Sequence, residues 1–513
     1  MKKKNFVVNI IAQLLVLLSN LIINFVLTPF VIEHLGEEAY GFIGLINNFV
    51  SYISVITVAL NSLAGRFITI SYHRKEEKTT NEYYTSVFYA NVFLSFIVAV
   101  ASFILSVNAA NWINVPDELL LDVKFTILLS AINTIISLLT VVFGIAAFIR
   151  NKLYLNSISQ MVGAIGRVIA IVLLFYLFEP HIWYFSMAAI LYSTLVLYIQ
   201  TIVTKKECPD LTINKSFFSI DRIIEIVKVG VWASIESFNK ILQTGLDLLI
   251  ANIFISPYAT GILSIAKTVP NILIQLTTTI ASAFFPELAM LYSAGKKEEL
   301  KNQFKYTMKV LSLFMIVPLI GFMAYGEVFY TLWLKNRSIE DIKIIQILSV
   351  LTVFPLLVNA YVEGLYYANT LTNKIKGSVL YSFVFSTASI ITEIILLKST
   401  DLDPLYIIAG TSSLFMSLRY LIITPIYCAY VLELPKLTFY PGLLRSIVTS
   451  LGLYFVFYCI NNLVIINSWF NFFAIIMISG VLGYVIVIIA LLNKEERSKL
   501  FITVRNKLLS RRS

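Results

Sequence analysis

Fourteen apolar stretches, each long enough to cross a bilayer, fill this chain, and basic residues gather in every second gap between them. About 20 apolar residues make one crossing as a helix, whereas a membrane β-strand shows short alternating segments. The runs here are continuous, so the expected fold is an all-α polytopic membrane protein with 14 transmembrane helices. The first two are expected at 6–32 and 40–64, the seventh and eighth at 229–255 and 259–285, and the last two at 443–466 and 469–492. One set of gaps holds Lys2–Lys4, Arg66, Arg74, Arg150, Lys152, Lys205, Lys206, Lys296 and Lys297, among others. The alternate gaps hold only Lys124, Lys335, Arg337, Lys343 and Lys398. Cytoplasmic loops carry the excess of Lys and Arg, so both termini are expected on the cytoplasmic side.

This layout leaves little chain outside the membrane for a soluble active site. Charged residues are 13% of the chain, about half the share in a soluble domain. The net charge of +10 is explained by membrane orientation and gives no reason to expect nucleic acid. Three scattered cysteines imply no disulfide framework, and three distant histidines show no metal-ligand spacing. No phosphate loop of the Walker type occurs. A membrane glycan polymerase or acyltransferase would need catalytic loops at the membrane face, but the outer loops are short and hold only His34 and His181. No catalytic residue, metal or cofactor is expected, and the chain reads as a transporter rather than an enzyme.

An internal repeat organises the spans. The turn after the first helix reads EEAYGFIGLINNFVSYI, and the turn after the seventh reads SPYATGILSIAKTVPNIL. Aligning Gly41 with Gly261, a shift of 220, pairs Asn47 with Lys267. Six helices separate the copies, so both share one orientation, which implies a pseudo-two-fold axis along the membrane normal. The expected organisation is a six-helix N-lobe (1–204), a cytoplasmic linker (205–228), a six-helix C-lobe (229–432), an added helix pair (433–492) and a basic tail (493–513). In the linker, 217–228 alternates Phe217, Ile220, Ile224 and Val227 with Asp221, Arg222, Glu225 and Lys228 at helical spacing. It reads as an amphipathic helix in the cytoplasmic interface, or else as the start of the seventh span.

With TPFVIEHLGEEAYGFIGL (Thr28–Leu45) and the Ala266–Lys267 pair in ILSIAKTVPNIL, the chain resembles the multidrug/oligosaccharidyl-lipid/polysaccharide flippase superfamily. The resemblance is to its polysaccharide branch, the Wzx-like O-antigen and capsule flippases, with teichoic-acid and lipid II flippases as relatives. It covers the chain by length and helix number. It implies alternating access by two lobes in a bacterial cytoplasmic membrane, with a lipid-linked oligosaccharide as cargo. Polysaccharide polymerases and glycosyltransferases are the implied candidate partners, beside membrane lipids.

A charge at the centre of a membrane helix costs about 2.5–3.5 kcal/mol on insertion scales, so such residues face a cavity or a partner. The candidates are Arg167, Glu236, Lys240, Asp247, Lys267, Glu363, Glu393 and Arg419. On the seventh span Glu236, Lys240, Gln243 and Asp247 follow i, i+4, i+7 and i+11, one face of an α-helix. On its repeat partner, the first span, Gln13, Asn20 and Asn24 follow i, i+7 and i+11. Two such stripes suit a shared polar cavity; an internal Glu236–Lys240 ion pair with amides joining helices is the alternative. A lipid-linked sugar carries a phosphate or pyrophosphate, and cations suit it. The candidate substrate-binding residues are therefore Lys240, Lys267, Arg167, Arg66, Asn24, Asn47 and Gln243, with Glu236 and Asp247 as candidate ion-coupling residues. Lys267 could instead pair with Asp247, Arg66 could serve orientation alone, and Arg419 is expected to pair with Glu363. Prolines 270, 318, 355 and 425 concentrate kinks in the C-lobe. The apolar last pair of spans could flank a groove for an isoprenoid tail or simply pack in lipid. A cation-coupled drug antiporter, or a flippase of teichoic-acid or lipid II precursors, is the competing function.

Overall fold

The computed structural model describes residues 2–150, 152–334, 337–372 and 374–498; the end of the basic tail, 499–513, lies outside the described residues. Every regular element among them is helical. The principal helices of the first half are α1 (Lys2–His73), α2 (Glu77–Val107), α3 (Asp117–Ile149), α4 (Tyr154–Leu177), α5 (Tyr184–Glu207), α6 (Ile220–Lys240) and α7 (Asp247–Phe254). Then follow α8 (Pro257–Ser282), α9 (Phe285–Ser293), α10 (Lys297–Trp333), α11 (Ile339–Val362) and α12 (Ile375–Ser399). The last four are α13 (Pro404–Leu418), α14 (Thr424–Val431), α15 (Tyr440–Leu463) and α16 (Trp469–Leu491). The chain is an all-α, multi-pass membrane protein.

Among the described residues, 12 helical spans are long and apolar enough to cross a membrane. Two breaks account for the other two of the fourteen expected. The 72 residues of α1 would reach about 108 Å at 1.5 Å per residue, more than three hydrocarbon thicknesses. It is two spans, parted at Gly36, whose φ of 81° and ψ of 174° lie where only glycine is comfortable. A side chain there would meet open space, so conformation alone fixes the residue. Gly36→Ala is expected to destabilise by about 1–2 kcal/mol, read as a lowered melting temperature of the purified protein in detergent. The second break lies in the seventh expected span, where π-helical Ile241–Gly245 separates α6 from α7.

By packing, the chain divides into two units, residues 1–265 and 266–513. In the first, α3 and α4 both pack on α5, α2 on α3, and α6 along α1. Lipid tails give helices little hydrophobic reason to associate, so small and polar residues fill the seams. Ser130 and Ser186 hydroxyls meet at 2.8 Å, and Asn61 and Asn91 exchange amide hydrogen bonds at 2.9 and 3.0 Å. In the second unit α10 packs against α11, α15 and α16, and α13 against α11 and α12. Phe304, Tyr325, Tyr361 and Phe457 are buried in its core, and Tyr325, Tyr330 and Tyr361 pass their hydroxyls to Ser479, Ser349 and Ser450.

The amphipathic stretch at 217–228 contains the last residue of a single 3-10 turn, Lys215–Phe217, then the extended Phe218 and Ser219; from Ile220 it is the start of α6. Its polar residues bind α2: Arg222 Nε lies 3.0 Å from Glu82, and the Tyr83 hydroxyl donates to Glu225 at 2.6 Å. The connector before it is laced to α2 as well. Asn81 donates to Asp210 O and accepts from the Thr212 amide, Thr85 donates to Thr212 O, and Ser86 accepts from the Ser219 amide.

Candidate translocation site

The break in the seventh span is held by one face of α1. Asn48, Tyr52, Val55 and Ala59 stand at i, i+4, i+7 and i+11, a continuous stripe on a helix. Asn48 Nδ2 donates to Gly245 O at 3.0 Å, and the Tyr52 hydroxyl donates to the same carbonyl. Ser234 Oγ donates to Val55 O at 2.8 Å. At Gly230 a Cβ would stand 1.8 Å from Ala59 O, so the two backbones touch. The stripe continues upward: a Cβ on Gly41 would lie 2.7 Å from the Gly261 amide nitrogen, and one on Gly261 only 2.3 Å from Glu37 O. Gly41 and Gly261, equivalent in the sequence repeat, are thus in direct contact. Beyond the break, α7 is pinned by Asn114: its amide N donates to Asn252 Oδ1 and its side chain to Asn252 O, both at 2.8 Å.

The π segment changes the expected polar stripe. A π turn holds about one more residue than an α turn, so residues after it rotate by roughly 100° relative to a straight α-helix. Glu236 is exposed, whereas Asp247 opens α7 and is buried, with an electrostatic interaction with Tyr52. The four stripe residues therefore do not share one uninterrupted α-helical face. The side chains of Asn24, Lys240 and Gln243 lie outside the described residues. Asn47 and Arg66 are exposed. In the second unit Lys267 is buried on α8, and the carbonyl before it, Ala266 O, accepts from Ser349 Oγ at 2.8 Å.

Arg167 stands apart. It lies on the face of α4 that carries buried Gly163, Ala164, Ile171 and Phe175, opposite the exposed Ile165, Ile169 and Val172. Gly163 and Gly166 let α5 approach so closely that a Cβ on either would meet Tyr192 or Leu195 within 2.8 Å. Arg167 feels Tyr192 electrostatically, but its Nε is shielded from solvent and has no hydrogen-bond partner. No carboxylate among the described residues pairs with it.

Arg419 differs from expectation. It forms no ion pair with Glu363, with which it interacts only electrostatically. Its Nη2 donates instead to the Tyr366 hydroxyl at 3.2 Å, and its guanidinium lies over the Tyr366 and Tyr420 rings. Residues 363 and 419 each sit where a helix leaves the α form, so straight-helix geometry misplaces both. The roles of Asn48, Tyr52 and Asn114 were also hidden. The carbonyl that Asn48 and Tyr52 bind is set by the break, and the partner of Asn114 lies near the end of α7; neither leaves a mark in hydropathy.

One apolar cavity of about 590 Å³ lies in the second unit between α10, α15 and α16. Gly321, Tyr325, Phe457, Ile476, Gly480 and Val481 are among its walls.

The family described as "Polysaccharide biosynthesis protein" matches residues 34–337. An uncharacterized membrane protein of Bacillus subtilis, EpsK, is 28% identical over 464 residues, covering 90% of this chain and 91% of its own. The lipid II flippase MurJ, in an inward closed conformation, is similar in structure with a TM-score of 0.67 and 13% identity, over 94% of this chain and 98% of that one. An inward-facing multidrug resistance MATE family transporter of the MOP superfamily gives a TM-score of 0.63 at 12% identity, over 86% and 98%. At these identities the two solved structures share the fold.

Proposed function

The chain belongs to the polysaccharide biosynthesis protein family, and on that premise we propose that it is a flippase for an undecaprenyl-(pyro)phosphate-linked oligosaccharide. It moves this cargo from the cytoplasmic to the outer leaflet of a bacterial membrane by alternating access, for surface polysaccharide synthesis. Both termini are cytoplasmic, and the two copies of the repeat act as lobes of 1–204 and 229–432. A polymerase and glycosyltransferases work with it.

The observation that carries this reading is Arg167. A guanidinium has five donors and is costly to bury without acceptors. One that faces the inside of a membrane bundle without a carboxylate suits an anion that comes and goes, such as the cargo's phosphate. Lys240, Lys267, Gln243, Asn24, Asn47 and Arg66 complete the proposed path, with Glu236 and Asp247 as ion-coupling candidates. A helix broken near its middle supports the same reading, because transporters commonly build midplane sites from discontinuous helices. The contact of Gly41 with Gly261 supports the pseudo-two-fold, since equivalent residues that touch must straddle the axis. The apolar cavity beside α15 and α16 supports a seat for the isoprenoid tail.

The test is flipping of a fluorescent undecaprenyl pyrophosphate-linked saccharide in proteoliposomes. Wild type is expected to flip it, and Lys240→Ala and Lys267→Ala each to lose at least about tenfold in rate while still inserting, as expected for a lost charged contact. Full rates in both variants would remove the cationic path. Drug efflux without lipid flipping would support the antiporter instead.

A further inference from the structure

The polar chemistry of the second unit centres on Arg419. Pro425 has no N–H, so it cannot bond the carbonyl four residues earlier, that of Leu421. The helix there widens into the π segment Arg419–Ile423, and the Tyr440 hydroxyl takes up Leu421 O at 2.8 Å. Across from it α11 ends in a 3-10 segment, Glu363–Tyr366. The Tyr366 hydroxyl meets Thr424 Oγ1 at 3.1 Å and accepts from Arg419 at 3.2 Å. The guanidinium carbon lies 5.7 Å from the Tyr366 ring centre and 5.3 Å from that of Tyr420.

Two rings and one hydroxyl therefore fix the plane of Arg419 while satisfying one of its five donors. Among the described residues no carboxylate lies within ion-pair distance of it. Arg419 is half-buried, and none of its nitrogens is both shielded from solvent and unpartnered, so its other donors are open to an acceptor. A planar fork of this kind matches a carboxylate or a phosphate with two parallel hydrogen bonds. π segments also recur at functional sites.

We propose that Arg419, held by Tyr366 and Tyr420, is an oxyanion-binding subsite of the second unit that engages the cargo. This rests on the flippase reading above. The oxyanion has two possible sources, the carrier's pyrophosphate or an acidic group on the saccharide.

The experiment measures binding of two probes to the full-length protein in detergent. One is undecaprenyl pyrophosphate carrying a glucose disaccharide; the other is the same lipid with one glucuronic acid. Arg419→Gln is expected to weaken at least one probe by about tenfold or more. Equal loss for both assigns Arg419 to the pyrophosphate, and loss for the acidic probe alone assigns it to the saccharide. Arg419→Lys keeps the charge without the fork and is expected to fall between wild type and Arg419→Gln. If wild type binds and both variants bind equally well, the subsite is overturned while the flippase reading stands. Loss in Arg419→Gln that Arg419→Lys fully restores, with melting temperatures tracking affinity, would mean a structural role and would also overturn it. If wild type binds neither probe, the flippase reading fails and the subsite with it.

Discussion

Gly230→Val is expected to prevent the protein from accumulating in a folded form. The Cβ alone would sit 1.8 Å from Ala59 O; its place is fixed by the Gly230 backbone, and the oxygen it meets is backbone too. No rotamer change relieves such a clash, so α1 and α6 must separate. Overpacking in a well-filled interior costs typically about 1–3 kcal/mol even where side chains can shift. Here the whole seam from Asn48 to Ala59 would move, and with it the hydrogen bonds that hold Gly245 O. A loss beyond that range would exhaust much of a typical stability margin of about 5–15 kcal/mol. Gly452→Val on α15 is the control, because a Cβ there meets nothing within 4 Å. Fluorescence-detected size exclusion of tagged variants reads the outcome. A monodisperse Gly230→Val peak at wild-type height would contradict the packing of α6 on α1.

Arg167→Ala is expected to abolish flipping while leaving the protein as stable as before, or more so. Breaking a buried ion pair is costly because it strands a charge. Arg167 has no carboxylate partner among the described residues, so its removal strands no charge there and relieves a desolvated cation. The expected signature is a melting temperature unchanged or raised by a few degrees, with transport down at least about a hundredfold if the cargo's phosphate loses two charge-assisted bonds. Tyr192→Phe, which keeps the ring against Gly163, is expected to leave transport within about threefold, on the scale of one neutral hydrogen bond. A sharp fall in stability for Arg167→Ala, with transport retained in what folds, would make the residue structural.

The legible parts of this protein are those written in hydropathy and in close-packed glycines. Apolar runs locate the spans because a bilayer permits few alternatives. Gly41 and Gly261, paired by the repeat, touch, and only residues without a side chain let the two backbones come that close. The illegible parts share one cause. At Ile241–Gly245 and Arg419–Ile423 the helix winds more loosely, which turns every later side chain without altering a single residue's hydropathy. Reading Glu236 through Asp247 as one face assumed uniform winding. The expected Arg419–Glu363 pair made the same assumption twice. The loosening at Arg419 had a visible sign in Pro425, whereas that at Gln243 had only Gly245.

The lacing of residues 210–219 onto α2 also bears on how the chain is made. Everything the connector binds has left the ribosome before the second unit begins. At about 5–20 residues per second, the remaining half takes roughly 12–50 s to synthesise. During that interval the nascent first half can already lace its connector down, with Asn81, Thr85 and Ser86 supplying the partners. The order of synthesis thus lets the connector settle onto α2 while the second unit is still being made.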